Sequence, residues 1–247
     1  MEHILEVDKL NVYYKNNGRK GNALQHVLHD VSFSMKKGEI LGLVGESGCG
    51  KTTLAKAILG MQKRFDGTIQ LVCDNPQMVF QDPYGSLNPS KKIGWILEEP
   101  LRMKKGDKKM TREQRIKRVD EMLEKVGLDV KVKEHYPSEL SGGQRQRIAI
   151  AAALLCDTTF LIADEPVSAL DVTIQSQIIK LLLKLQQELG ISILFISHDL
   201  RVVYQMCDRV MIMQKGVILE QGKVEEIYQN PKSEYTQLLL EAANISA

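Results

Sequence analysis

The sequence has no long hydrophobic run. Its longest apolar stretch, Ile148 to Cys156, has nine residues, about half of the roughly 18 that a bilayer-spanning helix needs. Met1-Glu2-His3-Ile4 has neither the basic start nor the apolar stretch expected of a secretory signal. Four cysteines, Cys49, Cys73, Cys156 and Cys207, are scattered without a C-x-x-C pair. That excludes a disulfide scaffold and leads us to expect reduced thiols in a cytosolic protein. Neither charge dominates: 33 basic against 31 acidic residues leave +2, too little to draw the whole chain to nucleic acid or a membrane. Aromatics make up 5%, with one tryptophan, which disfavours a base-stacking groove. Any membrane role is expected to come through a partner. There is no internal repeat and no low-complexity tract. What remains is 247 residues, 43% hydrophobic and 26% charged, enough for one large domain or two modest ones with a core of their own.

The first third has strand character. Leu5-Glu6-Val7 and Leu10-Asn11-Val12-Tyr13-Tyr14 read as strands, Asn16-Asn17-Gly18 as a turn, and Val31 to Met35 alternates. Lys37-Gly38 turns the chain into Ile40 to Val44, an apolar run suited to a buried strand. The middle differs. Arg102 to Arg118 carries nine basic and two acidic residues, and Ile116, Val119, Leu123 and Val126 fall at helical spacing. The basic run reads as a solvated face, with contact to anionic lipid headgroups the weaker reading. In the last third, short apolar strands at Phe160–Ala163, 191–196 and 210–213 alternate with helical patterns, the strongest of which, Ile174 to Leu189, ends at Gly190. This order predicts a mainly parallel α/β sheet.

Three motifs carry chemistry. Gly45-Glu46-Ser47-Gly48-Cys49-Gly50-Lys51-Thr52 is a G-x-x-x-x-G-K-[ST] loop between a buried strand and a helix that opens with Thr53. Its glycines let backbone N–H groups curl around a phosphate. Lys51 supplies a cation, and the Thr52 hydroxyl can ligate Mg²⁺. Cys49 is a small residue filling space, whose thiol a helix N-terminus would acidify. In Phe160-Leu161-Ile162-Ala163-Asp164-Glu165, two acids end a buried strand, the edge where α/β sheets bind ligands. Asp164 is suited to holding Mg²⁺ and Glu165 to polarising an attacking water. An acidic turn is the bland alternative, disfavoured by the phosphate loop upstream. Leu140-Ser141-Gly142-Gly143-Gln144 fits a capping box between Ser141 and Gln144. Its bare glycine N–H groups also make it a second anion site.

Leu140 to Gln144, lying ahead of the Asp164-Glu165 strand, resembles the signature of the ATP-binding-cassette (ABC) ATPases. Other family marks follow in order: Gln81 as the Q-loop glutamine, Ser168 and Asp171 as the D-loop, and His198 as the switch histidine. Tyr14 matches the aromatic that stacks on adenine, with Tyr13 as the substitute. Gln81 to Pro89, Glu99-Pro100-Leu101, His135-Tyr136-Pro137 and Tyr235-Thr236 resemble the branch that imports peptides, nickel and metal–chelator complexes. Two features depart from that branch. Only 28 residues separate Thr52 from Gln81, so strands of the antiparallel subdomain should be shortened. The cysteine-bearing tail of many oligopeptide ATPases is not seen after Tyr235.

The resemblance implies a P-loop NTPase core with an N-terminal antiparallel β-subdomain, residues 1–82 and 158–247, and an inserted helical subdomain, 83–157. It implies ATP with Mg²⁺, the metal held by Thr52, Gln81 and Asp164. Glu165, His198, Gln81 and Lys51 would serve hydrolysis. Ser141 to Gln144 would reach the ATP of a partner chain, in a homodimer or a heterodimer with a second ABC ATPase. Two membrane permease subunits and, indirectly, an extracytoplasmic solute-binding protein would complete an importer at the cytoplasmic face of the membrane. No nucleic-acid partner is expected. The alternatives are an ABC ATPase of DNA repair or translation, whose usual coiled coils and zinc modules are not seen, and an exporter ATPase.

Overall fold

Alternating apolar residues build the first two strands, β1 (His3–Lys15) and β2 (Leu24–Lys36), which pair antiparallel with Leu5 opposite Met35 and Val7 opposite Phe33. The sequence suggests two strands where the structure has one. Buried positions change phase between Leu5/Val7 and Leu10/Val12. A register shift around Lys9, at φ 46°, restores the face, as a bulge does.

The chain continues through β3 (Ile40–Val44), α1 (Lys51–Ile58), β4 (Phe65–Leu71), β5 (Gln77–Val79), α2 (Pro83–Ser86), α3 (Ile93–Arg102), α4 (Arg112–Lys125), α5 (Gly142–Leu154), β6 (Phe160–Asp164) and α6 (Val172–Leu189). It ends with β7 (Ser192–Ser197), α7 (Leu200–Met206), β8 (Arg209–Gln214), β9 (Val217–Lys223), α8 (Val224–Gln229) and α9 (Glu234–Ala242). This computed structural model describes residues 2–15, 24–104 and 109–245, apart from the side chains of Pro83 and Tyr84. The expected turn at Asn16-Asn17-Gly18 and residues 105–108 of the basic run lie outside the described residues.

The chain forms two compact units, one of Met1–Cys73 with Ser192–Ala247 and one of Asp74–Ile191. In the first, β1 lies between β2 and β4 in an antiparallel sheet. The stretch from Thr52 to Gln81 contributes only β4 to that sheet. Beside it, β3 runs parallel to β7 on one edge and to β8 on the other, and β9 turns back antiparallel on β8. Every residue of β3 and β7 is buried, as continuous apolar runs between parallel neighbours require. Each large aliphatic side chain so buried contributes about 1.5–3 kcal/mol.

In the second unit β5 pairs parallel with β6. Helix α4 starts with a capping box, Thr111 with Gln114, and buries Val119, Met122 and Leu123. Helix α6 buries Ile178, Ile179, Leu181, Leu182 and Leu185 and stops at Gly190, left-handed at φ 63°. The basic run is not simply a solvated face. Arg115 pairs with Glu98 at 3.4 Å, Arg118 with Asp157 at 2.5 Å, and Lys104 also with Asp157. Arg102 lies over the Trp95 ring, 4.8 Å from its centroid, and near Glu98. Glu98 and Asp157 therefore pair with four of the nine basic residues that the sequence displays.

Candidate nucleotide-binding and hydrolysis site

The buried strand β3 delivers its C-terminal end directly into the loop 45–50. Gly45 stands where only hydrogen fits: a Cβ there would lie 2.1 Å from the Met213 carbonyl oxygen and 2.7 Å from Cys49 Sγ. Gly48 is left-handed at φ 80°. Gly50 is the N-cap of α1 and brings no capping side chain, so the positive end of the helix is open to an anion. Lys51 is buried, and its Nζ donates to the carbonyl oxygens of Gly45 at 2.7 Å and Glu46 at 2.9 Å. The ammonium is thus folded onto the loop itself. The Gly216 N–H donates to the Cys49 carbonyl at 2.8 Å, tying the loop to the β8–β9 turn. Glu46, Ser47, Gly48 and Thr52 are exposed and Thr53 is half-buried.

Cys49 fills space as the sequence suggests, and the correction concerns only its thiol. Its side chain is buried beneath the loop. Burial pushes the thiol above its ordinary pKa, and the opposing pull of Lys51 is the smaller effect. An acidified, reactive thiol is therefore not found here.

Tyr13 and Tyr14 are successive in β1 and so point to opposite faces. The Tyr13 ring stacks on His26, centroids 4.5 Å apart and planes at 22°. Tyr14 is half-buried, with no ring contact among the described residues. His198 is exposed and follows β7 directly. The turn holding it is braced: the Asp199 N–H donates to Ser197 Oγ at 3.0 Å, and Asp199 Oδ1 accepts from the Arg201 N–H at 2.9 Å to start α7.

In the other unit, Gln81 is exposed two residues after β5, and Asp164 is buried as the last residue of β6. Glu165, half-buried, follows with φ 47°, a left-handed conformation that costs a residue with a Cβ about 1–3 kcal/mol and clusters at functional sites. Its carbonyl accepts from the Ser168 N–H at 3.3 Å and Oγ at 3.1 Å. Gln175 Nε2 donates to the Val167 carbonyl at 3.0 Å and steadies the same loop. Asp171 has a local task, capping α6 by accepting from the Ile174 N–H at 3.0 Å.

The capping box at Ser141 forms: its Oγ accepts from the Gln144 N–H at 3.3 Å, and its N–H donates to Gln144 Oε1 at 2.9 Å. Gly143 has a packing reason as well, since a Cβ there would meet Ile174 Cγ2 at 2.6 Å. Gly142 is half-buried. Arg145, unremarked in the sequence, donates from Nε at 2.9 Å and Nη2 at 2.5 Å to the Leu140 carbonyl, fixing the turn that presents Ser141. Tyr235 of α9, marked in the sequence only as part of the branch resemblance, reaches the loop: its hydroxyl oxygen accepts from the Glu46 N–H at 3.2 Å. Separated by 189 positions, the two give no local signal.

Residues 28–168 match the family model described as ABC transporter. The chain belongs to that family. It is an ATP-binding, ATP-hydrolysing cassette, in a family whose cassettes dimerise and work with membrane permeases. It is 46% identical over 234 residues to the dipeptide transport ATP-binding protein DppF of Escherichia coli, covering 89% of this chain and 69% of that protein. It is 45% identical over 229 residues to the oligopeptide transport ATP-binding protein OppF of Bacillus subtilis, covering 86% and 74%. Among solved structures, cbiO1 of Clostridium perfringens, part of the ABC transporter complex cbiONQ, superposes with a TM-score of 0.79 at 30% identity, covering 99% of this chain and 96% of that one. The MJ0796 cassette bound to ADP and Pi gives 0.76 at 28% identity, covering 89% and 98%. The P-loop NTPase fold with an antiparallel N-terminal sheet, expected from the family resemblance, is the fold observed. In this ABC cassette no helix among the described residues is long and apolar enough to cross a membrane.

Proposed function

We propose that this cassette powers import of peptides through separate membrane permease subunits. The observation that carries the cargo class is its 46% identity to a dipeptide transport ATP-binding protein over most of its length. Nickel or a metal–chelator complex is the second cargo class, motivated by the stretch Gln81 to Pro89.

In this reading Gly45 to Thr53 hold the ATP phosphates, and Tyr14 takes the adenine. Lys51 balances phosphate charge. The oxygen donors of Thr52, Gln81 and Asp164 are the hard ligands that Mg²⁺ prefers, and these residues would hold it. The metal would neutralise phosphate charge when bound. Glu165 takes a proton from the attacking water, and its left-handed backbone, braced by Ser168, fixes where that carboxylate starts. His198 steadies the terminal phosphate. Ser141 to Gln144 close on the ATP of a second chain, identical or related, and Asp171 and Ser168 couple the two sites. Residues 83–157 form the permease-facing helical subdomain. That assignment is supported by an apolar groove of about 300 Å³ to which this segment contributes Leu87, Ile96, Pro100 and the exposed Met103, with Met78 and the exposed Phe80 of the preceding segment completing its lining. The assembly would sit at the cytoplasmic face of the membrane, fed by an extracytoplasmic binding protein.

The test has two arms. Glu165→Gln should keep ATP binding and lose at least about 100-fold in turnover, the usual worth of a general base; wild-type turnover would remove Glu165 from that role. Crosslinking in native membranes with this chain as bait should recover two integral membrane subunits. Recovery of soluble or nucleic-acid-associated partners alone refutes the importer reading. Uptake of labelled dipeptide, against nickel, in cells carrying Glu165→Gln then separates the two cargoes.

A further inference from the structure

The peptide between Gly45 and Glu46 is gripped at both ends. Its carbonyl, Gly45 O, accepts from Lys51 Nζ at 2.7 Å. Its N–H, that of Glu46, donates to Tyr235 Oη at 3.2 Å. Lys51 belongs to α1, next to the loop, whereas Tyr235 belongs to α9, near the end of the chain. Helix α9 is itself fixed. Glu220 of β9 is buried, and its two carboxylate oxygens accept from the N–H groups of Lys232 at 3.0 Å and Ser233 at 3.2 Å. Ser233 then caps the helix, its Oγ accepting from the Thr236 N–H at 3.3 Å. Thr236 and Leu240 anchor it from the buried side.

A peptide plane has one soft freedom, rotation about the bonds that flank it. Gly45, lacking a Cβ, restrains that rotation least of any residue. A loop built to wrap phosphate therefore needs its 45–46 plane held by something outside it. We propose that Tyr235 is a positioning residue for nucleotide binding: its hydroxyl, carried on a helix clamped by Glu220, sets the orientation of the Gly45–Glu46 peptide and thereby the affinity of the phosphate loop. The hydroxyl is neutral at physiological pH, as an ordinary tyrosine is, and burial, the larger effect against the lowering by the Glu46 N–H, moves its pKa further up. The C-terminal segment is thus part of the binding apparatus, and anything that displaces α9 would loosen ATP.

This inference rests on the assignment of 45–52 as the phosphate loop, so the experiment carries a control for that assignment. The full chain and its Tyr235→Phe, Glu220→Gln and Lys51→Ala variants are titrated with a fluorescent ATP analogue, with steady-state hydrolysis and melting temperature measured in parallel. Tyr235→Phe removes one oxygen atom and leaves the ring's packing. Loss of one such bond predicts a rise of about 2- to 10-fold in Kd and in KM for ATP, with kcat little changed. Glu220→Gln, which never touches the loop, should raise Kd in the same direction. A lowered melting temperature in Tyr235→Phe with unchanged Kd and KM would make the contact merely structural and overturn the proposal. So would variants indistinguishable from wild type while Lys51→Ala binds poorly. Unimpaired binding by Lys51→Ala would instead overturn the phosphate-loop assignment beneath it.

Discussion

Replacing Gly45 with alanine separates two reasons for glycine in one loop. At Gly45 the backbone does not need a left-handed conformation; the limit is space. The added Cβ would sit 2.1 Å from the Met213 carbonyl oxygen, where contacts under 3.0 Å are essentially never seen. The loop or the end of β8 must therefore retreat by roughly 1 Å, against interior packing as dense as an organic crystal. Overpacking costs typically about 1–3 kcal/mol. The obstructing atom is backbone in a strand paired on both sides, so the upper value applies. For a domain of this size each kcal/mol moves the melting temperature by about 2–4 °C, which predicts a loss of about 6–12 °C. Gly48 is the opposite case. A Cβ there meets nothing within 4 Å, and only φ 80° stands against it, a strain of about 1–2 kcal/mol. Gly48→Ala should therefore melt only about 2–8 °C below wild type. A thermal melt of the three proteins, followed by titration with a fluorescent ATP analogue, reads both effects. Removing the Cys49 side chain as well should not rescue Gly45→Ala, because the Met213 carbonyl remains. If Gly45→Ala melts with the wild type, or above Gly48→Ala, the steric account is wrong.

Tyr14→Ala should weaken ATP by about 1–3 kcal/mol, the worth of a base stacked on an aromatic ring, whereas Tyr13→Ala should cost stability through its lost stack on His26; the reverse pattern in a titration and a melt would move the adenine platform to Tyr13. Ser141→Ala removes a helix cap worth about 1 kcal/mol, so it should lower the melting temperature by about 2–4 °C and spare ATP binding to the single chain. Its steady-state turnover should fall further than that of Thr111→Ala, which removes the matching capping box of α4, if Ser141 also serves a partner's nucleotide, and equal turnover would leave it as a cap alone. Cys49 has its thiol pKa raised by burial, so at pH 8 it holds less thiolate than an ordinary cysteine. Iodoacetamide should therefore modify it more slowly than glutathione at that pH, the rate climbing as pH passes above the usual thiol range, and modification faster than glutathione would refute the burial account.

Much of the site could be read from the sequence because its chemistry is local. The spacing from Gly45 to Thr52 encodes the phosphate loop within eight consecutive residues. Ser141 with Gln144 encodes its own cap, and an apolar run ending in Asp164-Glu165 encodes a buried strand with acids at its rim. Helices such as α6 announce themselves by a 3.6-residue period and a terminal glycine. Neighbours along the chain decide these features, so the order of letters suffices. Where alternation changed phase, as at Lys9, the sequence suggested two strands, and only pairing with β2 made them one.

Other features depended on segments that meet after folding. The basic run 102–118 looks like a free charged face until α3 and the end of α5 bring Glu98 to Arg102 and Arg115 and Asp157 to Lys104 and Arg118. The position of Cys49 beside a helix start suggests a reactive thiol until burial outweighs the neighbouring lysine. Gly45 is legible as a motif letter, yet the reason nothing larger fits is a carbonyl of β8, 168 positions away. The hydroxyl that holds the Glu46 N–H comes from α9. The sequence by itself determined the family, the nucleotide chemistry and the local caps, because these rest on short-range backbone and side-chain patterns. Tertiary packing alone decided which charges are neutralised, which thiol is silent and which distant tyrosine reaches the phosphate loop, because burial and distance exist only once remote segments share a surface.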